Sequence, residues 1–557
     1  MTAPEAAGST AVRARRVAVA AVCLAACLPY LRTISDYFVQ DDFGVVQLLA
    51  QKPWSTFPRW FTMPWMEDIW GYIPDEIRPF PALSYQVTAL WGAGAPEGHH
   101  LLNIALHAAN ALLVLALARS VAGLRTGSAA VAGVAFGLLP VAAESVAWIT
   151  GRVDTMPTLF YVASFLAYVN WRQAGPERAV SLYLSSLGWF FLALFSKQNT
   201  ITMVPALLAY DFVLARRPIR ASWAWLRPYI PFVLLTAGFL GLRYLVLGEV
   251  LRESQLSSAR IAEFGNVATR HLQRIVFGGV GSVPTAAAAL AGIWGVATAI
   301  SIARADSGRR ERVLRALLYF GVVWIALGIA PALAAGYESP RHAYLASVGW
   351  AIVLGIAFEV VWSARPVRQL EPRFWRASIA LGAALILGGY AVGLHRTVSD
   401  WSRRSAVSHL AAAELERQVL GAPAGTLVLV GAPVSSWEWA APFVARPPYA
   451  ASDLTARAFI LTPRALDCCR GLHWESRVRK DLQAWASRPG GAVLALYATE
   501  TGEVRRLTGN DDPELVSLVR VLPEIATADA LDGALTDILR KLVRGRGHLI
   551  RSLTGEH

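Results

Sequence analysis

The chain has 557 residues, of which 55% are hydrophobic and 16% charged, and its mean hydropathy is +0.41. That balance excludes a soluble protein of this size and specifies a polytopic helical membrane protein with a less apolar tail. A net charge of +13 does not point to nucleic acid, because the arginines fall between apolar runs, where they act as topological anchors. Only four of the 52 basic residues are lysines (Lys52, Lys197, Lys480 and Lys541), a usage that would be expected of a GC-rich bacterial genome.

A spanning helix needs about 20 mostly apolar residues, and about eleven stretches meet that requirement. They lie near 16–34, 100–122, 128–149, 155–171, 180–196, 199–215, 229–247, 281–303, 313–335, 342–364 and 377–395. The first follows Arg13, Arg15 and Arg16 and contains Leu24-Ala25-Ala26-Cys27, which has the look of a bacterial lipoprotein signal. The apolar run continues to Leu31 and many spans follow, so an uncleaved first helix is expected. In the eighth, Gly278, Gly279, Gly281 and Pro284 are placed to break the helix or make it re-entrant. Cys23 and Cys27 lie in the first span, and adjacent Cys468 and Cys469 have no metal-type spacing.

Orientation follows from arginine placement. With the N-terminus cytoplasmic, the inner loops carry Arg119, Arg125, Arg172, Arg178, Arg216, Arg217, Arg304, Arg309, Arg310, Arg312, Arg365 and Arg376, among others. Three short outer turns carry one cation each, Arg152, Lys197 and Arg341. This asymmetry obeys the positive-inside rule. It puts the loop 36–99, the loop near 248–275 and everything from 396 outside. It also leaves three outer cations that topology does not explain, and an anionic ligand would explain them.

The first outer loop opens with Asp41-Asp42, two adjacent carboxylates just past the first span. Ionisable groups at the mouth of a membrane bundle are functional candidates, because desolvating them is costly. Trp54, Trp60, Trp65 and Trp70 follow among prolines and few charges, a pattern that fits a loop lying along the outer leaflet; a compact loop core is the alternative. In the second span His100, Asn103 and His107 share one helix face. A zinc site would need further ligands, so a polar stripe facing other helices or a wet cavity is the reading. Glu144 is an intramembrane carboxylate one turn after Pro140, expected to face the bundle interior. Gly151-Arg152-Val153-Asp154 makes the next outer turn, in which Arg152 and Asp154 can pair. No metal cluster is indicated and no cofactor is specified.

The tail changes character. Residues 401–419 read as an amphipathic helix. Thr426–Gly431, Ala458–Leu461 and Ala492–Tyr497 read as buried strands, with a hairpin turn at 499–503. The expected organisation is a membrane domain at 1–395, whose outer loop 36–99 carries juxtamembrane helices, and an extracytoplasmic α/β domain at 396–557.

Several stretches resemble the transmembrane O-mannosyltransferases that carry tetratricopeptide repeats. They are Ile77-Arg78-Pro79 through Leu83-Ser84, Ala89-Leu90-Trp91-Gly92, His100, Asn103, His107, Pro140-Val141, Glu144, the turns at 151–154 and 196–197, Tyr210-Asp211 and Tyr344–Gly349. That likeness covers roughly 30–400. Leu139 and Ala142 stand where that family usually has histidines, and the tail shows no 34-residue repeat. The family belongs to the GT-C glycosyltransferases. The resemblance therefore implies a GT-C-like membrane fold, a polyprenyl-phosphate sugar donor and transfer of the sugar, mannose among the candidates, on the non-cytoplasmic face. The acceptor would be an external protein, lipid or glycan. It also implies a carboxylate base in the first outer loop, matching Asp41 and Asp42, with Asp41 taking the acceptor proton. Arg152, Lys197 and Arg341 would hold the donor phosphate. Glu144, Asp154, Arg78, His100, Asn103 and His107 would orient sugar or acceptor. The alternatives are a lipid-linked sugar flippase, disfavoured because the charges cluster at one face and no repeated halves are visible, and a non-catalytic assembly scaffold.

The orientation is testable. A phosphatase reporter fused after Arg396 should be active and one fused near Arg217 silent. The reverse pattern would move the candidate site to the cytoplasmic side.

Overall fold

The computed structural model describes residues 3–542 apart from 67–75, 93, 218–221, 249, 251–257, 280, 335–337, 365–370, 432–436, 438–439, 462–471, 489–490, 500, 502, 508–512 and 526. Cys468, Cys469 and Trp70 lie outside the described residues. The chain divides into two compact units. One holds residues 1–33, 77–81 and 100–399; the other holds 34–76, 82–99 and 400–557.

The first unit is helical. Its main elements are α1 (Ala3–Cys27), α2 (Glu97–Ser120), α3 (Thr126–Leu138), α4 (Arg152–Gln173), α5 (Pro176–Leu194), α6 (Ile230–Leu247), α7 (Ser258–Phe277), α8 (Thr285–Ala303), α9 (Ser307–Leu317), α10 (Ile325–Ala334), α11 (Tyr344–Trp362) and α12 (Pro372–Leu420). Among the described residues seven helices are long and apolar enough to cross a membrane. An eighth is added if Thr126–Leu138 and Pro140–Ala147, bent by 48° at their junction, form one span. The protein is an integral, multi-pass membrane protein. Against the eleven spans expected, the stretches 155–171, 180–196 and 199–215 are helical without passing the same test. The third is split into a 3-10 turn, an α turn and a π turn over Gln198–Leu214. The residues expected to break the eighth span do so at its start: Gly278, Gly279 and Gly281 have positive φ after α7 ends at Phe277, and α8 begins only after Pro284, from where it runs unbroken.

Small residues set the helix spacing. A Cβ on Gly137 of α3 would lie 3.0 Å from the Ala26 nitrogen of α1, and one on Gly355 of α11 would lie 2.9 Å from the Ala132 Cβ of α3. Apolar side chains gain nothing by leaving lipid for protein, so close backbone approach and dispersion contacts hold such helices together.

The second unit contains the tail sheet, β1 (Thr426–Gly431), β2 (Ala458–Leu461), β3 (Val493–Ala498) and β4 (Val504–Arg506), in the order β2-β1-β3-β4. β1 is parallel to both neighbours, with Leu427 facing Phe459 and Leu429 facing Ala495, while β4 returns antiparallel to β3. The Thr499 N–H donates to the Glu503 carbonyl at 2.8 Å, closing the hairpin. β1 and β3 are buried along their whole length, which explains their continuous apolar sequence. The amphipathic stretch at 401–419 is no separate helix: α12 passes Ser399, where the first unit ends, and continues to Leu420.

The tryptophan-rich loop departs from the leaflet expectation. Trp60 and Trp65 are 1% and 2% exposed, and Trp54 is exposed. Trp65 packs near Tyr85, with ring centroids 6.5 Å apart, and its backbone N–H donates to the Glu76 carbonyl at 3.0 Å. Large aromatic surface is thus used to build a core for the loop itself, which is the larger gain when the loop is long enough to fold back.

Candidate functional site

The site in the first unit is built on a break in the chain. After Leu138 the path bends, makes one turn of helix at Ala143–Ala147, and turns extended at Trp148 (ψ 129°) before α4 begins. The carbonyls freed there need donors, since none comes from water at this depth. Asn103 Nδ2 supplies them, within 3.3 Å of the Val146 oxygen, 2.9 Å of that of Trp148 and 3.2 Å of that of Ile149. Gly151 completes the turn. A Cβ at that position would lie 2.5 Å from the Glu144 carbonyl oxygen and 2.7 Å from that of Ser145, so only glycine fits.

This turn delivers Glu144 and Asp154 to two further turns. The Lys197 ammonium donates to Asp154 Oδ1. Arg341 Nε lies 3.4 Å from Asp154 Oδ2, and Arg341 Nη1 donates to Glu144 Oε1 at 3.3 Å. Ser339 Oγ also donates to Glu144, and the Arg341 guanidinium stands 4.8 Å over the Trp148 ring, a cation–π contact. Lys197 sits in extended backbone between α5 and the Gln198–Thr202 turn, and Arg341 rides on the Pro340–Ala343 turn that leads into α11. Burial holds Lys197 below the ordinary lysine range against the pull of Asp154, and the nearby Arg78 and Arg341 push it the same way. Arg78, itself 6% exposed, stands close enough to act electrostatically on Lys197. Cations gathered this way from separate turns suit an anionic ligand.

The other predicted residues of this unit fall close by or into packing. Arg152 is fully buried, and its Nε reaches the Ile149 carbonyl at 3.3 Å. Asp154 has ion pairs with Lys197 and Arg341. His100, Asn103 and His107 are all buried, as a stripe facing other helices should be. His107 Nδ1 is 2.7 Å from the Tyr344 hydroxyl and its Nε2 is 3.4 Å from the Gly137 carbonyl, so this ring ties α2 to α11 and α3. No motif singled out Trp148 or His271. His271, on α7, is fully buried with its ring centred 6.4 Å from that of His342. Burial, with Arg274 beside it, lowers its pKa to about 4. Arg270 and Arg274 on the same helix both pair with Glu338, three residues before Arg341. The alternation of charge and apolar residues in 258–277 was the available signal. Among the described residues no three His, Cys, Asp or Glu side chains gather as a metal site.

Asp41 and Asp42 belong to the second unit. They start the helix Asp42–Ala50, with Asp41 at its N-cap, where the positive end of the helix dipole favours carboxylates. Asp42 is 1% exposed and its Oδ2 accepts from the Val39 N–H at 3.2 Å; Asp41 is half-buried. Gln40, just before them, has φ 51°, an uncommon conformation for a side-chain-bearing residue. Phe38, Phe43 and Tyr449 pack edge to face beneath the pair, and the Tyr449 hydroxyl donates to the Phe43 carbonyl at 3.1 Å. Burial and then the Asp42 charge hold the Tyr449 phenol well above its ordinary pKa.

No family model matches the chain. Over 208 residues, 34% of the chain, it is 29% identical to the Drosophila melanogaster protein O-mannosyl-transferase Tmtc2. Over 209 residues it is 28% identical to the Homo sapiens protein O-mannosyl-transferase TMTC2. The matched stretch spans 21% and 23% of those two relatives. Among solved structures it is similar to the archaeal oligosaccharyltransferase AglB from Archaeoglobus fulgidus, in complex with an inhibitory peptide and a dolichol-phosphate. The TM-score is 0.50, at 12% identity, covering 87% of this chain and 69% of that one. ArnT from Cupriavidus metallidurans, bound to undecaprenyl phosphate, is matched with TM-score 0.44 at 14% identity over 86% of this chain and 92% of that one. The expected fold class, a mainly helical polytopic membrane protein with a small sheet, is therefore observed, and its fold is similar to that of AglB.

The Gly151 turn yields a prediction. Gly151→Ala forces the Glu144 and Ser145 carbonyls away and should cost about 1–3 kcal/mol, the usual range for overpacking. Thermal unfolding of the purified variant in lipid measures it. An unchanged midpoint would mean that the 144–151 segment relaxes freely and does not fix Glu144.

Proposed function

We propose that the protein is a GT-C-type glycosyltransferase that moves a sugar from a polyprenyl phosphate to an acceptor on the outer side of the membrane. The observation that carries this reading is the buried cluster of Lys197, Arg341 and Arg78 around Asp154 and Glu144. The relatives named as protein O-mannosyl-transferases support the same reaction class, with mannose as the sugar and a protein hydroxyl as the acceptor they suggest. The dolichol-phosphate in the AglB complex is the donor class we carry over.

In this reaction the bond between the sugar's anomeric carbon and the phosphate oxygen breaks while the acceptor oxygen bonds to that carbon. The acceptor proton goes to Asp41, and the lipid phosphate leaves with the bonding electrons. The former bridging oxygen of the departing phosphate gains one negative charge, shared with the other terminal oxygens, and preplaced cations stabilise it most where water is excluded. Lys197, Arg341 and Arg152 take that role, with Glu144 and Asp154 aiming the cations. Asp41 is preferred to Asp42 as base because Asp42 is buried and its carboxylate accepts a backbone N–H, which keeps it in place.

Three measurements bear on this. Asp41→Asn should lower sugar transfer by purified protein in lipid about 10²–10⁴-fold, the usual cost of losing a general base, with donor binding and thermal stability retained. Normal transfer by the Asp41→Asn, Asp42→Asn and double variants would place the base elsewhere. Lys197→Ala or Arg341→Ala should each weaken binding of a polyprenyl-phosphate donor roughly tenfold or more, since charge-assisted hydrogen bonds are worth about 1.5–3 kcal/mol. Unchanged donor affinity would return both residues to structural pairing. The third is a pH profile. Lys197 binds phosphate only while protonated, and its pKa is lowered, chiefly by burial, so donor affinity should begin to fall at a lower pH than an ordinary lysine would dictate. Lys197→Arg, which does not titrate in this range, should flatten that fall. An identical alkaline profile in wild type and variant would exclude Lys197 as the phosphate ligand.

A further inference from the structure

The far end of the first unit's bundle holds a second cationic site. α11 leads from the Arg341 turn to Trp362, 19 helical residues, or about 28 Å at 1.5 Å per residue. At its Trp362 end a cleft of about 350 Å³ opens between α11, α9 and the turn joining α2 to α3. Leu124, Val313, Ala316, Ile356 and Val360 form its apolar walls, and Arg309, Arg312, Glu359 and Ser363 its polar lining. Glu359 is neutralised within its own wall, accepting from Arg125 Nε at 2.6 Å and from Ser128. Asp306 spends its carboxylate on capping α9 through the Arg309 backbone N–H at 2.8 Å. Glu311, on the same helix, is taken by Arg315 and Arg216. Arg309 and Arg312 are different: among the described residues neither guanidinium has an ion pair or a side-chain hydrogen bond, although both act electrostatically on Asp306. Two guanidiniums with no carboxylate paired to them among the described residues, lining an apolar slot beside a membrane-spanning helix, match a molecule with a phosphate head and a hydrocarbon body.

We propose that this cleft binds an anionic phospholipid, its phosphate between Arg309 and Arg312 and one acyl chain along the wall of Val313, Ile356 and Val360. Arginine suits the role because its planar fork bonds two phosphate oxygens at once, and basic recesses between spanning helices are the usual form of such sites. The level is right for a headgroup. Trp362 closes the apolar stretch of α11, with its ring stacked on Phe358 at 5.3 Å and Arg376 over its face at 6.0 Å, and tryptophan settles at the membrane–water boundary. The turn joining α2 to α3, the start of α9 and the Trp362 end of α11 all fall on the side of the membrane to which the arginine asymmetry assigns the inner loops. The site is thus separate from the proposed donor site and independent of the reaction assigned to it.

The test uses full-length protein in phosphatidylcholine nanodiscs doped with phosphatidylglycerol, with native mass spectrometry counting the phosphatidylglycerol retained on release. Wild type should retain it in preference to phosphatidylcholine. The double variant Arg309→Gln, Arg312→Gln should lose about 25-fold in retention, from roughly a fivefold loss per arginine near a lipid surface. Arg304→Gln with Arg310→Gln removes the same charge from neighbours that do not line the cleft, and should retain the lipid as wild type does. If the glutamine double variant fails to fold, Arg309→Lys with Arg312→Lys keeps the charge without the fork and should still lower retention relative to the outer pair. Equal losses in the cleft and outer pairs would overturn the site, leaving only general surface charge. Saturable binding of inorganic phosphate with no retained phosphatidylglycerol would overturn the lipid assignment in favour of free phosphate.

Discussion

The buried carboxylate of Asp154, shared by Lys197 and Arg341, is the constraint around which the first unit is arranged. Three segments far apart in sequence meet on it: the start of α4, the turn after α5 and the turn before α11. Taking these charges out of water is costly, and their mutual attraction offsets the cost only with good geometry. Removing one partner from such a group typically costs about 3–5 kcal/mol, because the remaining charge is left buried and uncompensated. The surrounding irregularities follow from that demand. The bend after Leu138, the extended residue at Trp148 and the glycine at 151 all serve to aim two carboxylates, and Asn103 meets the backbone cost of the distortion.

The second unit solves a smaller problem in a related way. Asp42 is buried, held by a backbone N–H, and placed in the first turn of a helix, three features that each stabilise a carboxylate. Its neighbour Asp41 is more exposed and sits on a backbone led in by the positive φ of Gln40. Adjacent acids thus differ in setting: Asp42 is buried and fixed in the fold, while Asp41 is half-buried at the helix N-cap. The edge-to-face cluster of Phe38, Phe43 and Tyr449 is the floor that keeps this difference.

Much of this could be read from residue order. The apolar runs located the helices, alternation between runs and arginines gave their order, and continuous aliphatic stretches bounded by Gly gave three strands of the tail to within a residue. Arg152, Lys197 and Arg341 stood out because the arginine asymmetry between the loops did not need them. What stayed hidden was partner choice. Asp154 is two residues from Arg152, yet its ion pairs reach Lys197 and Arg341, because residues i and i+2 of a helix point to different sides. Trp148 and Ser339 carry no motif, since their value lies in standing beside Arg341 and Glu144. The loop tryptophans misled for a physical reason. An indole gains as much from a protein core as from a headgroup layer, and sequence does not say which is nearer.

The helix α4 shows why apolar length alone undercounts the bundle. It is 22 residues long, long enough to cross, yet it does not pass as a span by composition. It is buried over most of its length, with Thr155, Thr158 and Ser164 inside. A helix that meets protein instead of lipid has no need to be apolar throughout, and its polar groups find partners in neighbouring helices. Both of its ends are pinned by charge. Near one, Asp154 holds Lys197 and Arg341. Near the other, Arg172 donates to Asp211 on the π turn Tyr210–Leu214, and that carboxylate also accepts from the Tyr168 and Tyr229 hydroxyls at 2.7 and 2.5 Å. Two buried ionic networks about 27 Å apart along one axis allow neither slippage by a turn nor rotation, since either would strand charges at both ends. The polar residues that lower its hydropathy are the ones that hold it: ion pairs fix the helix that carries Arg152 and Asp154 near both ends.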